Sequence, residues 1–159
     1  QKLGTVELMK TAYRTAAIAA VLVIAGMASA QHIAAHANAT GIVKERMDNF
    51  KATQGHLKAI SRLLGSTEFE EIASRASWMR DWGESMAAAF PEGSDRAPSE
   101  AAPAIWSDNE GFVTAASNHV GALDKLIAAA EAGDVGAIGA AFKNVASTCK
   151  ACHMKYRKF

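Results

Sequence analysis

The sequence predicts an all-α protein built as an antiparallel four-helix bundle. Three observations predict it. The composition favours helix: Ala is abundant, only three prolines occur, and β-branched residues are thin outside the N-terminal segment. From Gly41 onward, apolar residues repeat at three- and four-residue steps, the period of one helix face. Near the C-terminus stands Cys149-Lys150-Ala151-Cys152-His153, which gives a small bundle a cofactor to fold around. The chain has 159 residues, the size of one domain. Its formal charge of +1 carries no nucleic-acid footprint.

The N-terminal segment reads differently from the rest. Met9 to Arg14 is a short basic region, followed by an apolar run from Thr15 to Ala30 and by small residues at Ala28-Ser29-Ala30 and Ala35-His36-Ala37. Basic, apolar, then small is the order of a secretory signal peptide. Cleavage after Ala30 or Ala37 fits, with Ala37 preferred, and Gln1 to Leu8 read as an upstream extension. The competing reading is an uncleaved anchor helix, although the strong apolar core is shorter than the ~20 residues a span needs. The expected division is therefore a signal or anchor segment at 1–37 and a bundle domain at 38–159. Membrane contact is expected only if the first segment is retained. Residues 1–37 carry Lys2, Lys10, Arg14 and Glu7, so 14 basic and 15 acidic residues remain without them.

Each helix can be justified in turn. Val43, Met47, Phe50, Leu57, Ile60 and Leu64 form the first stripe, Gln54 interrupts it, and Gly65 ends the helix. Thr67-Glu68-Phe69-Glu70 reads as a capping box, opening a second helix with Phe69, Ile72, Ala76, Met79 and Met86 inward. Trp78 and Trp82, one turn apart, are expected against a neighbour. Phe90-Pro91-Glu92-Gly93 stops this helix, and residues 91–106 hold all three prolines, the mark of an ordered crossover loop. Ser107-Asp108-Asn109-Glu110 reads as a second capping box, before Phe112, Ala116, Leu123, Ile127 and Ala130. Gly133 closes that helix. Asp134 caps the fourth, where Ile138, Phe142, Val145, Cys149, Cys152 and Tyr156 share a stripe, placing both cysteines on the core side. Four amphipathic helices around a cofactor make a four-helix bundle.

Cys-x-x-Cys-His is the attachment signal of a c-type haem. Residues three apart share a helix face, so Cys149 and Cys152 can each form a thioether to one haem vinyl group. His153 can turn its imidazole to the iron as proximal ligand. A dithiol redox motif would open a helix in a βαβ context, and this one ends a helical chain. A zinc site needs four ligands, and no second cysteine pair exists. Export agrees with the motif, because c-type haem is attached outside the bacterial cytoplasm; the expected location is the periplasm.

Four segments together resemble the cytochrome c′ family of exported bacterial four-helix-bundle haem proteins: Val43-Lys-Glu-Arg46, Phe90-Pro-Glu-Gly-Ser94, Ala102-Pro-Ala-Ile-Trp-Ser-Asp108 and Cys149-Lys-Ala-Cys-His-Met-Lys-Tyr-Arg157. The resemblance runs from about Gly41 to the C-terminus. It implies that Cys149 and Cys152 hold one haem c, that His153 is the proximal ligand and that Arg157 lies beside the proximal face. It implies that Arg46 contacts a haem propionate, where a guanidinium fork suits a carboxylate; without the family, Arg46 reads as an ordinary surface charge. Four residues beyond Arg46 is the position that faces the iron on the distal side. Low-spin relatives carry Met there; here it is Phe50, which cannot coordinate and also reads as plain core packing. Met47 lies three residues before that position and would need the helix to rotate, His119 reads as buried and hydrogen-bonded or as a surface residue, and His56 reads as solvent-facing beside Lys58. Phe90, Phe112 and Tyr156 complete the candidate haem-contacting set.

The resemblance therefore implies a five-coordinate, largely high-spin haem protein that binds a small gas, nitric oxide or carbon monoxide, or passes single electrons to a redox partner. No general acid or base points to an enzyme. One alternative is a low-spin electron-transfer cytochrome with a Met sixth ligand. Another is a haem-free helical adaptor or metal-binding bundle. Family members are often dimers joined through the first two helices, so a homodimer is expected.

Overall fold

The computed structural model describes residues 38–158, and the expected signal or anchor segment at 1–37 lies outside them. Four long helices make up the bundle: α1 (Gly41–Leu63), α2 (Phe69–Ser85), α3 (Asn109–Glu131) and α4 (Val135–Tyr156). A 3-10 turn at Met86–Ala89 follows α2, and a one-turn helix at Ala104–Ser107 sits in the crossover. Helix α3 packs along both α2 and α4, and α1 packs against α2, whereas the backbones of α1 and α4 scarcely approach one another. Among the described residues, no helix is long and apolar enough to cross a membrane.

The core divides into two regions of different chemistry. The aliphatic region joins Ile60 of α1, Ile72 and Met79 of α2, Leu123 and Leu126 of α3, and Ile138 and Val145 of α4, all fully buried. Each such side chain contributes roughly 1.5–3 kcal/mol by leaving water. The other region is aromatic. Phe112, Tyr156, Ile105 and Ala101 form one cluster there, with Phe90 and Cys152 against it; Trp82, Met86 and Ala89 form a second, packed by Phe50 and Phe90. The expected inward stripe of α3 is buried, as are Ile72, Ala76 and Met79 of α2 and Met86 just beyond it, while Phe69 is partly buried against the core. On α1 the stripe is rotated: Arg46 and Thr53 are buried with Ile60, and Leu64 is exposed.

Helix ends follow the glycines but not the expected capping boxes. Gly65 and Gly133 take left-handed φ of 86° and 66°, which glycine adopts without a Cβ penalty. Asp134 caps α4, accepting from the Ala137 N–H at 2.9 Å. Thr67 does not cap α2: the N-cap is Glu68, whose N–H donates to Ser66 Oγ at 3.2 Å instead. Ser107 does not cap α3 either, because it closes the one-turn helix, and Asp108 takes the N-cap position. The Asp108 carboxylate is drawn across the bundle to α4, where it accepts from the Tyr156 hydroxyl at 2.6 Å and pairs with Lys155. The crossover is thus less irregular than a plain loop, and α2 ends at Ser85 rather than at Phe90.

The α3–α4 tie leaves no room for a side chain beneath it. A Cβ at Gly111 would lie 2.5 Å from the Tyr156 hydroxyl and closer still to the Asp108 carboxylate. At Gly121, on the same helix, a Cβ would meet nothing within 4 Å. Gly111→Ala should therefore lose about 1–3 kcal/mol by forcing that tie apart, and Gly121→Ala should gain about 0.5–1 kcal/mol from lost unfolded-state freedom. Chemical denaturation of the two variants checks the opposite signs.

Candidate haem site

Cys149 and Cys152 stand one turn apart on α4, half-buried, with Cys152 packed against the cluster of Ala101, Ile105, Phe112 and Tyr156. Burial pushes both thiols above their ordinary pKa, and for Cys152 the neighbouring Cys149 adds to the effect. Thiols kept neutral in an apolar wall are poor redox nucleophiles, whereas a thioether, which carries no charge, suits that wall. His153 is half-buried beside them. Burial and then the Arg157 charge hold its pKa below the ordinary imidazole value, partly offset by Glu100. A neutral imidazole keeps a free lone pair, the form that binds a metal.

Across the bundle, the α1 side chain that meets the His153 ring is Phe50. Their centroids are 6.5 Å apart with planes at 74°. The two rings therefore meet edge to face, which puts the α1 side chain at the imidazole that the motif offers to a metal. Phe50 also meets Trp82 edge-on at 5.6 Å and Phe90 at 6.4 Å. The series continues from Phe90 to Phe112 at 5.1 Å and from Phe112 to Tyr156 at 5.3 Å, both edge-to-face. A half-buried thiol pair, an imidazole and an aromatic wall in one place fit a covalently held haem. Met47 is half-buried on α1. Among the described residues, no three His, Cys, Asp or Glu side chains gather as a metal cage.

Arg46 is not a surface charge. It is 2 % exposed, with its guanidinium 4.3 Å above the Phe90 ring. One Nη donates to the Ala89 carbonyl at 3.0 Å and to Ser94 Oγ at 2.7 Å; the other donates to the Ser94 carbonyl and to Ser99 Oγ at 2.6 Å. Burial lowers its pKa, and Asp95 opposes this. Both Nη groups thus bind the crossover, which walls the site. Arg157 is tied outward to Glu100, its Nε donating at 2.7 Å. The tail is stitched to the crossover on the same side: Ala102 N–H donates to the Tyr156 carbonyl at 3.0 Å and Lys158 N–H to the Glu100 carbonyl at 2.7 Å.

The other two histidines among the described residues are also placed. His119 is buried, with Nδ1 2.8 Å from Thr148 Oγ1 and 3.9 Å from Cys149 Sγ. Thr148 Oγ1 donates to the Val145 carbonyl at 2.7 Å, so it accepts from His119, which fixes the proton on Nδ1. His56 is not beside solvent alone: its ring lies 4.5 Å from that of Trp78. Sequence reasoning missed Ser94, Ser99, Thr148 and Asp108 as members of the site's framework. Only the Phe90–Ser94 segment and the helix-start pattern at Asp108 carried any signal for them.

Two outcomes follow from these placements. Arg46→Ala strands several buried carbonyl and hydroxyl groups and should lose more than about 3 kcal/mol, whereas Arg62→Ala, exposed in the last turn of α1, should change stability by about 0.5 kcal/mol or less. Denaturant midpoints with unchanged slopes check this. His119 supplies a pH dependence. Burial first, then the His153 charge, lowers its folded-state pKa, so the unfolded chain binds the proton more tightly. The stability is present in full above the unfolded value of about 6.5 and is lost as pH falls through the depressed folded value. As pH falls from about 6.5 to the depressed folded value, the melting temperature should fall less steeply for His119→Gln than for the parent.

Comparison with known proteins agrees with this geometry. The family model for cytochrome C′ matches residues 41–157. Cytochrome c′ of Rhodospirillum rubrum is 36 % identical over 128 residues, covering 79 % of this chain and 87 % of its own. Cytochrome c-556 of Agrobacterium tumefaciens is 30 % identical over 111 residues, covering 70 % and 89 %. Among solved structures, a nitric oxide complex of a variant cytochrome c prime from Alcaligenes xylosoxidans superimposes with a TM-score of 0.68 at 30 % identity, covering 74 % of this chain and 94 % of that one. Cytochrome c′ of Thermochromatium tepidum gives 0.69 at 25 % identity, covering 74 % and 95 %. Family match, identity and fold agree with the Cys149–His153 motif: the chain belongs to the cytochrome c′ family, which implies covalent haem c.

Proposed function

We propose that this chain is a periplasmic mono-haem cytochrome whose open iron site binds a small diatomic gas, nitric oxide first, and which also passes single electrons. The observation that carries the reading is Phe50, a side chain without a donor atom, set opposite His153. Haem supplies an iron centre that takes up a gas ligand or changes charge by one electron. The chain's own residues do the rest. Cys149 and Cys152 would tether the group as thioethers, and His153 would offer its lone pair to the iron. Phe50, Trp82 and Phe90 would keep water and larger ligands away. Arg46 holds the crossover against the site and would add a positive charge suited to a propionate; Arg157 places its charge near His153. The likeness to cytochrome c′ supports a role in binding and transfer rather than catalysis. The nitric oxide complex solved for the Alcaligenes xylosoxidans relative supports the choice of gas.

Export through a signal peptide at 1–37 completes the reading, since haem attachment of this type takes place outside the cytoplasm. A homodimer through α1 and α2 has support from Leu64 and Trp78, two exposed apolar side chains on or next to those helices.

Ligand kinetics test the distal assignment. A gas must push the half-buried Phe50 ring aside, so Phe50→Ala should raise the association rate for carbon monoxide and lose about 1–3 kcal/mol of stability. Phe50→Met should place a thioether at the same position and shift the visible spectrum toward low spin. Unchanged gas binding in Phe50→Ala, with a spin change in Met47→Ala, would make Met47 the distal residue and favour the low-spin carrier. Haem released by acid organic solvent from the parent protein, rather than only from the Cys149→Ala, Cys152→Ala double variant, would overturn covalent attachment.

A further inference from the structure

The aromatic wall around Phe50 holds one polar atom with nothing to bond. Trp82 is 8 % exposed, and its indole Nε1 is buried with no hydrogen-bond partner. Buried N–H groups are nearly always paired, so an orphan requires a specific explanation. Trp106 provides the contrast, its Nε1 donating to the Phe90 carbonyl at 3.0 Å. The Trp82 ring meets Phe50 edge-to-face at 5.6 Å and 85°, which offers the N–H at most a weak bond to a π face. Phe50 in turn meets His153 at 6.5 Å. One ring therefore lies beside both the indole that carries the unpaired donor and the imidazole of α4.

We propose that the Trp82 indole N–H donates a hydrogen bond to the diatomic ligand that takes the place of the Phe50 ring opposite His153. The inference rests on the gas-binding reading above. A ligand entering there displaces the ring that meets the indole, and the indole N–H is the unpaired donor beside the space the ligand takes. The neighbouring Met86, Ala89 and Ile42 are apolar, and both Nη groups of Arg46 are already bonded to the crossover. A single donor in an apolar pocket selects among gases. It favours those whose outer atom gains negative charge on reduced iron, dioxygen and nitric oxide, over carbon monoxide. No covalent bond in the protein forms or breaks.

Carbon monoxide is the probe, because its stretching frequency reports a nearby donor. In the reduced, haem-loaded protein, Trp82→Phe keeps an aromatic ring and removes the N–H. The C–O stretch should rise in this variant, and nitric oxide should dissociate about 2- to 10-fold faster, the effect of one lost hydrogen bond. The unmodified protein gives an independent reading that does not depend on the variant folding: with nitrogen-15 labelling, the Trp82 indole N–H of the diamagnetic carbon monoxide adduct should resonate downfield, as a hydrogen-bonded indole does, and exchange slowly with solvent. A hydrogen-bonded resonance with a C–O stretch unchanged in Trp82→Phe would assign the donor to a haem carboxylate and overturn the proposal. An unbonded resonance with an unchanged C–O stretch would overturn it and leave gas binding standing. Failure of the parent protein to bind carbon monoxide would overturn both.

Discussion

The seam between α1 and α4 is the constraint on which the rest of the structure depends. Adjacent helices of a bundle normally close on one another, yet these two scarcely approach as backbones and meet through the rings of Phe50 and His153. Protein interiors are packed to crystal density, so where the backbones stand apart the space between them is taken by large side chains or by a bound group. The aliphatic region around Ile60, Leu126 and Val145 fixes the helices relative to one another elsewhere in the bundle. That leaves the aromatic region free to serve a bound group rather than to close the core. The sequence order matches this division, since Phe50 precedes Ile60 on α1 and the two cysteines follow Val145 on α4.

The crossover between α2 and α3 is the second wall, and it is held from two sides. From α1, Arg46 reaches Ala89, Ser94 and Ser99 with a buried guanidinium. From α4, the Tyr156 and Arg157 region pairs with Glu100 to Ala102. A buried charge stripped of these partners would be costly, so Arg46 and the crossover order one another. Tyr156 then links the same end of α4 to Asp108 at the start of α3. The walls of the site are thereby tied to helix ends, where few degrees of freedom remain.

Much of this was legible in the residues. The three- and four-residue spacing gave the four helices, Gly65 and Gly133 gave two of their ends, and the Cys149–His153 motif gave the chemistry. Other features were hidden for physical reasons. Thr67 and Ser107 have the right side chains and spacing for caps, but capping geometry depends on how the preceding chain arrives, and the short helix at Ala104–Ser107 uses Ser107 differently. Arg46 reads as surface by residue type, since its burial depends on carbonyl and hydroxyl partners more than forty residues away in the chain. His56 depends likewise on Trp78 from a neighbouring helix. Long-range pairing leaves no periodic trace, and only the likeness to a family singled out Arg46 in advance.

The most direct measurement of the central claim is the ligation of the iron in the purified, unmodified protein, read by absorption and electron paramagnetic resonance in both oxidation states. With Phe50 opposite His153 and no donor atom on that ring, the account predicts one axial imidazole and a high-spin, five-coordinate iron. A low-spin spectrum of the resting protein with a thioether as sixth ligand would contradict it, because a methionine rather than Phe50 would then have to stand at the distal position.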